Sequence, residues 1–91
     1  MEYDYKGCIP IFKALADETR LKIMRLIASN ELCACHILEN FDITQPTLSY
    51  HMKILVDSGL VTAEKKGSWI YYRVSSDKIQ CIKGYIEDLE K

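Results

Sequence analysis

The chain has 91 residues, 48% of them hydrophobic and 27% charged, enough for one small domain over residues 1–91, which buries a modest share of its surface and gains from association. No apolar run approaches the roughly 18 residues of a membrane span, and Met1 to Lys6 lack the basic and apolar regions of a secretory leader, so a cytoplasmic protein is expected, its cysteines serving as free thiols, metal ligands or redox groups rather than as a disulfide framework. The net charge of −1 hides a gradient: five basic and seven acidic side chains over residues 1–43, four and two over 44–73, three and four over 74–91, so the basic bias lies in the middle.

In chain order, Ile9, Phe12, Leu15 and Ala16 fall at helical spacing, with Pro10 suited to a first turn. Asp17 and Glu18 offer a cap and favourable charge to a second helix ending near Ser29-Asn30, with Leu21, Met24, Leu26, Ile27 and Ala28 as its buried stripe. A short third helix follows Cys33, with Ile37, Leu38 and Phe41 facing inward, and ends between Asn40 and Asp42. Thr44 caps a fourth, in which Pro46 fits the first turn because its missing N–H has no intrahelical partner there. Leu48, Met52, Leu55 and Val56 share one face of this helix, which ends near Ser58 at Gly59. The period then changes. Residues 60–65 and 69–74 are rich in β-formers around the turn chemistry of Lys66-Gly67-Ser68, so a β-hairpin is expected. A last helix from Ser76 carries Ile79, Ile82, Ile86 and Leu89 along one stripe, suited either to its own core or to a second subunit.

Two helices around a tight turn, the second with small polar residues at its start, followed by a hairpin with a basic tip, make a mainly α fold with a β-hairpin wing, a winged helix-turn-helix. Such folds present the beginning of the second helix to base edges in the major groove. The candidate side chains are Gln45, Thr47, Ser49, Tyr50 and His51, since Gln pairs bidentately with adenine, Thr meets the thymine methyl and hydroxyls serve bases or phosphates. His51 has the alternative of packing against the preceding helix. Lys65 and Lys66 on the wing are candidates for phosphates or the minor groove of double-stranded DNA, and Lys53 and Arg73 for further phosphates.

Three stretches, Ala14 to Ile23, Thr44 to Leu55 with Gly59-Leu60-Val61, and Gly67 to Arg73, resemble the ArsR/SmtB family of winged-helix repressors in order along nearly the whole chain. The resemblance implies a homodimer built largely from the first and last helices, repression by operator binding, and release of DNA when an inducer binds.

The four cysteines are Cys8, Cys33, Cys35 and Cys81. Glu31-Leu32-Cys33-Ala34-Cys35 resembles the Glu-Leu-Cys-Val-Cys motif of the family's arsenic, cadmium and lead sensors. Within a regular helix, side chains two apart point about 200° from each other, so both sulfurs can grip one ion only if Cys33 stands at the N-cap on extended backbone. The positive helix end then favours the thiolate, a ligand for soft ions. Arsenic sensors of this type often carry a third cysteine where this chain has Leu38. The cadmium and lead sensors carry two in an N-terminal extension, where this chain offers only Cys8. The expected site is Cys33, Cys35 and Cys8, the last from a second subunit. Three thiolates without a fourth ligand suit pyramidal As(III) or Sb(III) better than tetrahedral zinc, with Cd, Pb or Zn as the alternative inducers. The last helix lacks the paired ligands of the zinc-sensing members. Cys81 reads as a small buried hydrophobe and His36 as an exposed helix residue.

Thiol oxidation at Cys33 or Cys35 is a rival mode of sensing. An enzyme is not expected: the sequence has no nucleophile elbow, paired carboxylates or Gly-rich phosphate loop, and its cysteine spacing is not the Cys-x-x-Cys of oxidoreductases. A thiol oxidoreductase or metal-buffering protein remains the distant alternative.

Overall fold

The computed structural model describes residues 5–91, so four of the six residues read for a leader lie outside the described residues. Five helices and a three-stranded sheet follow in the order α1 (Tyr5–Leu15), α2 (Glu18–Ile27), β1 (Leu32–Cys33), α3 (Ala34–Glu39), α4 (Gln45–Asp57), β2 (Val61–Lys66), β3 (Trp69–Val74) and α5 (Ser76–Leu89). Among the described residues no helix is long and apolar enough to cross a membrane.

The caps form as their chemistry predicts. Asp17 takes extended backbone and its carboxylate accepts the Arg20 N–H at 2.9 Å. That same bond holds its pKa below the ordinary value of 3.8. Thr44 accepts the Thr47 N–H at 3.3 Å, and its hydroxyl donates to the Thr47 oxygen at 3.0 Å. After α4 the chain turns at Gly59, whose φ of +89° few other residues adopt.

The core is one cluster in which Ile11 of α1, Ile23 and Ile27 of α2, Ile37 of α3, Met52 and Leu55 of α4, and Leu60 and Val61 at the wing's root are almost fully buried. Each such side chain contributes on the order of 1.5–3 kcal/mol by leaving water. The helix-turn-helix is thereby fixed to α1, α2 and the sheet.

Four sequence expectations need correction. Helix α1 starts at Tyr5 and turns Cys8, Ile11 and Ala14 inward, so Ile9 is 49% exposed and Pro10 lies inside the helix. The carbonyl that Pro10 leaves without a partner belongs to Lys6, an exposed residue. In α2 the buried set is Ile23, Met24 and Ile27, whereas Leu21 is half exposed and Ala28 exposed. In α5 the stripe divides between its two alternatives, Ile82 buried in the core and Ile86 and Leu89 facing outward; the correction there is Cys81, which is exposed rather than buried.

The fourth difference is β1, which the sequence reading lacked. The sheet order is β1-β3-β2, all antiparallel: β2 and β3 form the hairpin, with Lys66 opposite Trp69 across Gly67 at φ +64°. On the other edge of β3, Leu32 pairs with Tyr72 and Cys33 with Tyr71.

Candidate metalloid centre and nucleic-acid interface

Cys33 serves two elements at once. It ends β1 and is the N-cap of α3, with φ −77° and ψ 157°. Extended backbone at this point turns its side chain toward that of Cys35 in the first helical turn, which a continuous helix would forbid. The two residues, with Cα atoms 5.4 Å apart, are joined as a disulfide. Reduction of that bond leaves two thiols side by side, a geometry that suits one soft ion. Cys33 is 3% exposed and Cys35 half-buried, so the pair opens to solvent through Cys35.

His36 is exposed, as expected, yet one of its ring nitrogens lies within 4.8 Å of both sulfurs. Its adjacency in sequence was the available signal. Cys8 does not stand beside the pair in its own protomer: its sulfur is 3.6 Å from that of Cys81, between α1 and α5. Leu38 is half-buried against the core.

The pair is wired to the wing. Beyond the β1–β3 ladder, Glu31 accepts an ion-pair hydrogen bond from Lys66 at 2.7 Å, and the Lys66 ammonium stands 5.1 Å from the centre of the Tyr71 ring. The bond to Glu31 raises the Lys66 pKa above its ordinary 10.5. A crevice of about 360 Å³ then runs between α3, the start of α4 and β3, lined among others by Cys35, Leu38, Gln45, Ser49 and Trp69. The thiol site and the expected base-reading side chains therefore open onto one space.

Gln45, Thr47, Ser49 and Tyr50 are all exposed along the first half of α4, and Lys65 and Arg73 are exposed on the wing. Lys53 pairs with Asp57 at 3.0 Å on the same helix, an exposed pair that a phosphate can displace at little cost. His51 is different. It is 9% exposed, and its Nδ1 lies 3.1 Å from Arg20 Nη1 and 3.9 Å from Asp17. It faces α2 and is removed from the exposed set. Sequence reading assigned no role to Arg20, which donates to the Ala14 carbonyl at 2.7 Å and the Lys13 carbonyl at 3.5 Å while holding His51. It ties the end of α1 to α4. Its place in the Asp17-Glu18-Thr19-Arg20 run, three residues after the cap, was the signal.

A recognition-type helix with a polar exposed start, a hairpin wing and a buried link between them define a winged helix-turn-helix DNA-binding architecture. The model of bacterial regulatory proteins of the arsR family matches residues 17–63, from the α2 cap into β2, and the chain belongs to that family. It is 49% identical over 71 residues to the arsenical resistance operon repressor of Staphylococcus aureus, an alignment covering 78% of this chain and 68% of that protein. Among solved structures it resembles an ArsR-like transcriptional regulator from Rhodococcus sp. RHA1, with TM-score 0.83, 24% identity, and 94% and 81% of the two chains covered. A homodimeric winged helix-turn-helix DNA-binding domain from Mycobacterium bovis superposes with TM-score 0.76 at 26% identity, over 98% of this chain and 87% of that one.

Proposed function

We propose that this chain is a homodimeric transcriptional repressor that binds operator DNA through α4 and the wing, and releases it when a soft trivalent metalloid, As(III) or Sb(III), binds Cys33 and Cys35. One observation carries the inducer half of this reading: Cys33 caps α3 from extended backbone, so its sulfur meets that of Cys35 while its backbone remains in the ladder with β3. An ion gripping both sulfurs fixes the junction between α3 and the wing. The DNA half is supported by the exposed row Gln45, Thr47, Ser49 and Tyr50 with Lys65 and Arg73, and by the kinship with arsenical resistance repressors. The exposed Ile9, Ile86 and Leu89 on α1 and α5 supply apolar surface for pairing two copies.

Among the described residues, the donor that clusters with the pair is His36. Cys8, beside Cys81 in its own protomer, is the candidate third donor from a second copy. Ultraviolet titration of the reduced protein with arsenite, cadmium and zinc, repeated on Cys8→Ser and His36→Ala, distinguishes them through the sulfur-to-metal charge-transfer bands.

The decisive experiment is operator binding by fluorescence anisotropy. Arsenite should weaken affinity about 5- to 150-fold, the usual range of allosteric coupling, and Cys33→Ser or Cys35→Ser should abolish this response while still binding DNA. Release by cadmium, lead or zinc but not arsenite reassigns the inducer and keeps the class. A second reading rests on the disulfide between Cys33 and Cys35: oxidation of the pair itself serves as the signal. Release by peroxide with no response to arsenite selects it.

A further inference from the structure

Sequence reading gave Cys8 and Cys81 separate roles, one a distant ligand and the other a core hydrophobe. The fold brings them together across 73 residues, with their sulfurs 3.6 Å apart. Two aromatic contacts fix the helices on either side. Tyr85, one turn beyond Cys81, meets Phe12, one turn beyond Cys8, at 5.9 Å between ring centres, and Tyr5, one turn before Cys8, at 6.5 Å. The two thiols are thus held in register by an aromatic clasp between α1 and α5. Within a single protomer their exposures are unequal: Cys8 is 5% exposed, whereas Cys81 is exposed.

We propose that Cys8 and Cys81 are a second thiol switch, apart from the Cys33–Cys35 pair, which hydroperoxides convert into a disulfide joining α1 to α5 within one protomer. Within the protomer Cys81 is the more exposed of the two sulfurs, which sets the order of events. The Cys81 thiolate attacks the peroxide, the O–O bond breaks, and Cys81 becomes a sulfenic acid as the peroxide is reduced to an alcohol or water. The Cys8 sulfur then attacks the Cys81 sulfur, the S–O bond breaks, and hydroxide leaves as water with the Cys8 proton. Two thiols are oxidised by two electrons, and one hydroperoxide becomes one alcohol and one water. Closing the gap from 3.6 Å to a disulfide's ~2.05 Å takes side-chain rotation and about 1.5 Å of approach.

The pair lies on the helices that lead to α4, because the α1 carbonyls of Lys13 and Ala14 hold Arg20, which holds His51. A bond between α1 and α5 fixes one end of that chain of contacts and closes a long loop, so the oxidised protein should melt at higher temperature.

The test uses the fully reduced chain exposed to hydrogen peroxide, alkylated and cut with trypsin, which puts Cys8 in peptide 7–13, Cys81 in peptide 79–83, and Cys33 with Cys35 in peptide 26–53. A cross-link between the first two peptides, in protein that still migrates as a monomer on a non-reducing denaturing gel, is the expected result. In Cys8→Ala, Cys81 should stop at the sulfenic acid and be trapped by dimedone. In Cys81→Ala, Cys8 should stay reduced. The proposal is overturned if both peptides stay separate and alkylatable while peptide 26–53 oxidises, if the cross-link appears only in a covalent dimer, or if Cys8 oxidises without Cys81.

Discussion

Cys33 is the antiparallel partner of Tyr71, so the residue that caps α3 is also part of the wing's sheet. An ion held by Cys33 and Cys35 acts on the α3 start and on β3 through a single residue, with no intervening relay. Arsenite should therefore slow hydrogen exchange at the amides of residues 70–72, and Cys35→Ser should remove the protection. Exchange that changes only in α3 would disconnect the thiol site from the wing.

Glu31 and Lys66 bear on the salt dependence of DNA binding. Lys66 was expected to serve phosphates, yet its ammonium is taken up by Glu31 and Tyr71. Replacing Lys66 by Gln should leave the slope of log K against log salt unchanged. Glu31→Gln should free Lys66 for a phosphate and steepen that slope by about 0.9. Anisotropy titrations over a series of salt concentrations read both. A shallower slope in Lys66→Gln shows that Lys66 exchanges Glu31 for DNA.

The helices and the hairpin were legible because each carries its own local signal: caps at Asp17 and Thr44, Gly59 at a positive φ, and β-formers around Gly67. The extended cap at Cys33 was legible too, because only that backbone lets sulfurs two residues apart converge. The rest depended on tertiary contacts that no local window encodes. A two-residue strand has no period to read, so β1 and its pairing with Tyr71 and Tyr72 were invisible. The meeting of Cys8 with Cys81 needs α1 and α5 packed side by side. His51 was ambiguous because its inward turn depends on Arg20, a partner on another helix.

Asp17 makes the α2 cap pH-dependent. Its folded pKa is depressed below 3.8, mainly by the Arg20 N–H, so it binds its proton less readily than in the unfolded chain. The resulting stabilisation is fully present above the unfolded value and is lost as pH falls through the folded one. Asp17→Asn should match the parent protein below that range and melt at lower temperature at pH 7. Thermal unfolding followed by circular dichroism between pH 2.5 and 7 checks this, and an equal difference at every pH would mean that the carboxylate charge plays no part.

Leu38 offers a direct gain-of-function test of the proposed metalloid site. It follows Cys35 by three residues, which places both side chains on one helix face, and both line the crevice beside α4. Leu38→Cys should supply a third sulfur from within the protomer, in the pyramidal arrangement that trivalent arsenic favours. The arsenite concentration for half-release of the operator should fall at least tenfold, and the charge-transfer band should intensify. Some packing is lost, since Leu38 is half-buried against the core, and a cost of about 1 kcal/mol is expected at a site only partly enclosed. Tighter release in Leu38→Cys that persists when His36 is replaced by Ala shows that three sulfurs suffice. No gain in arsenite sensitivity, with the variant folded and bound to DNA, means that the ion lies away from the α3 face.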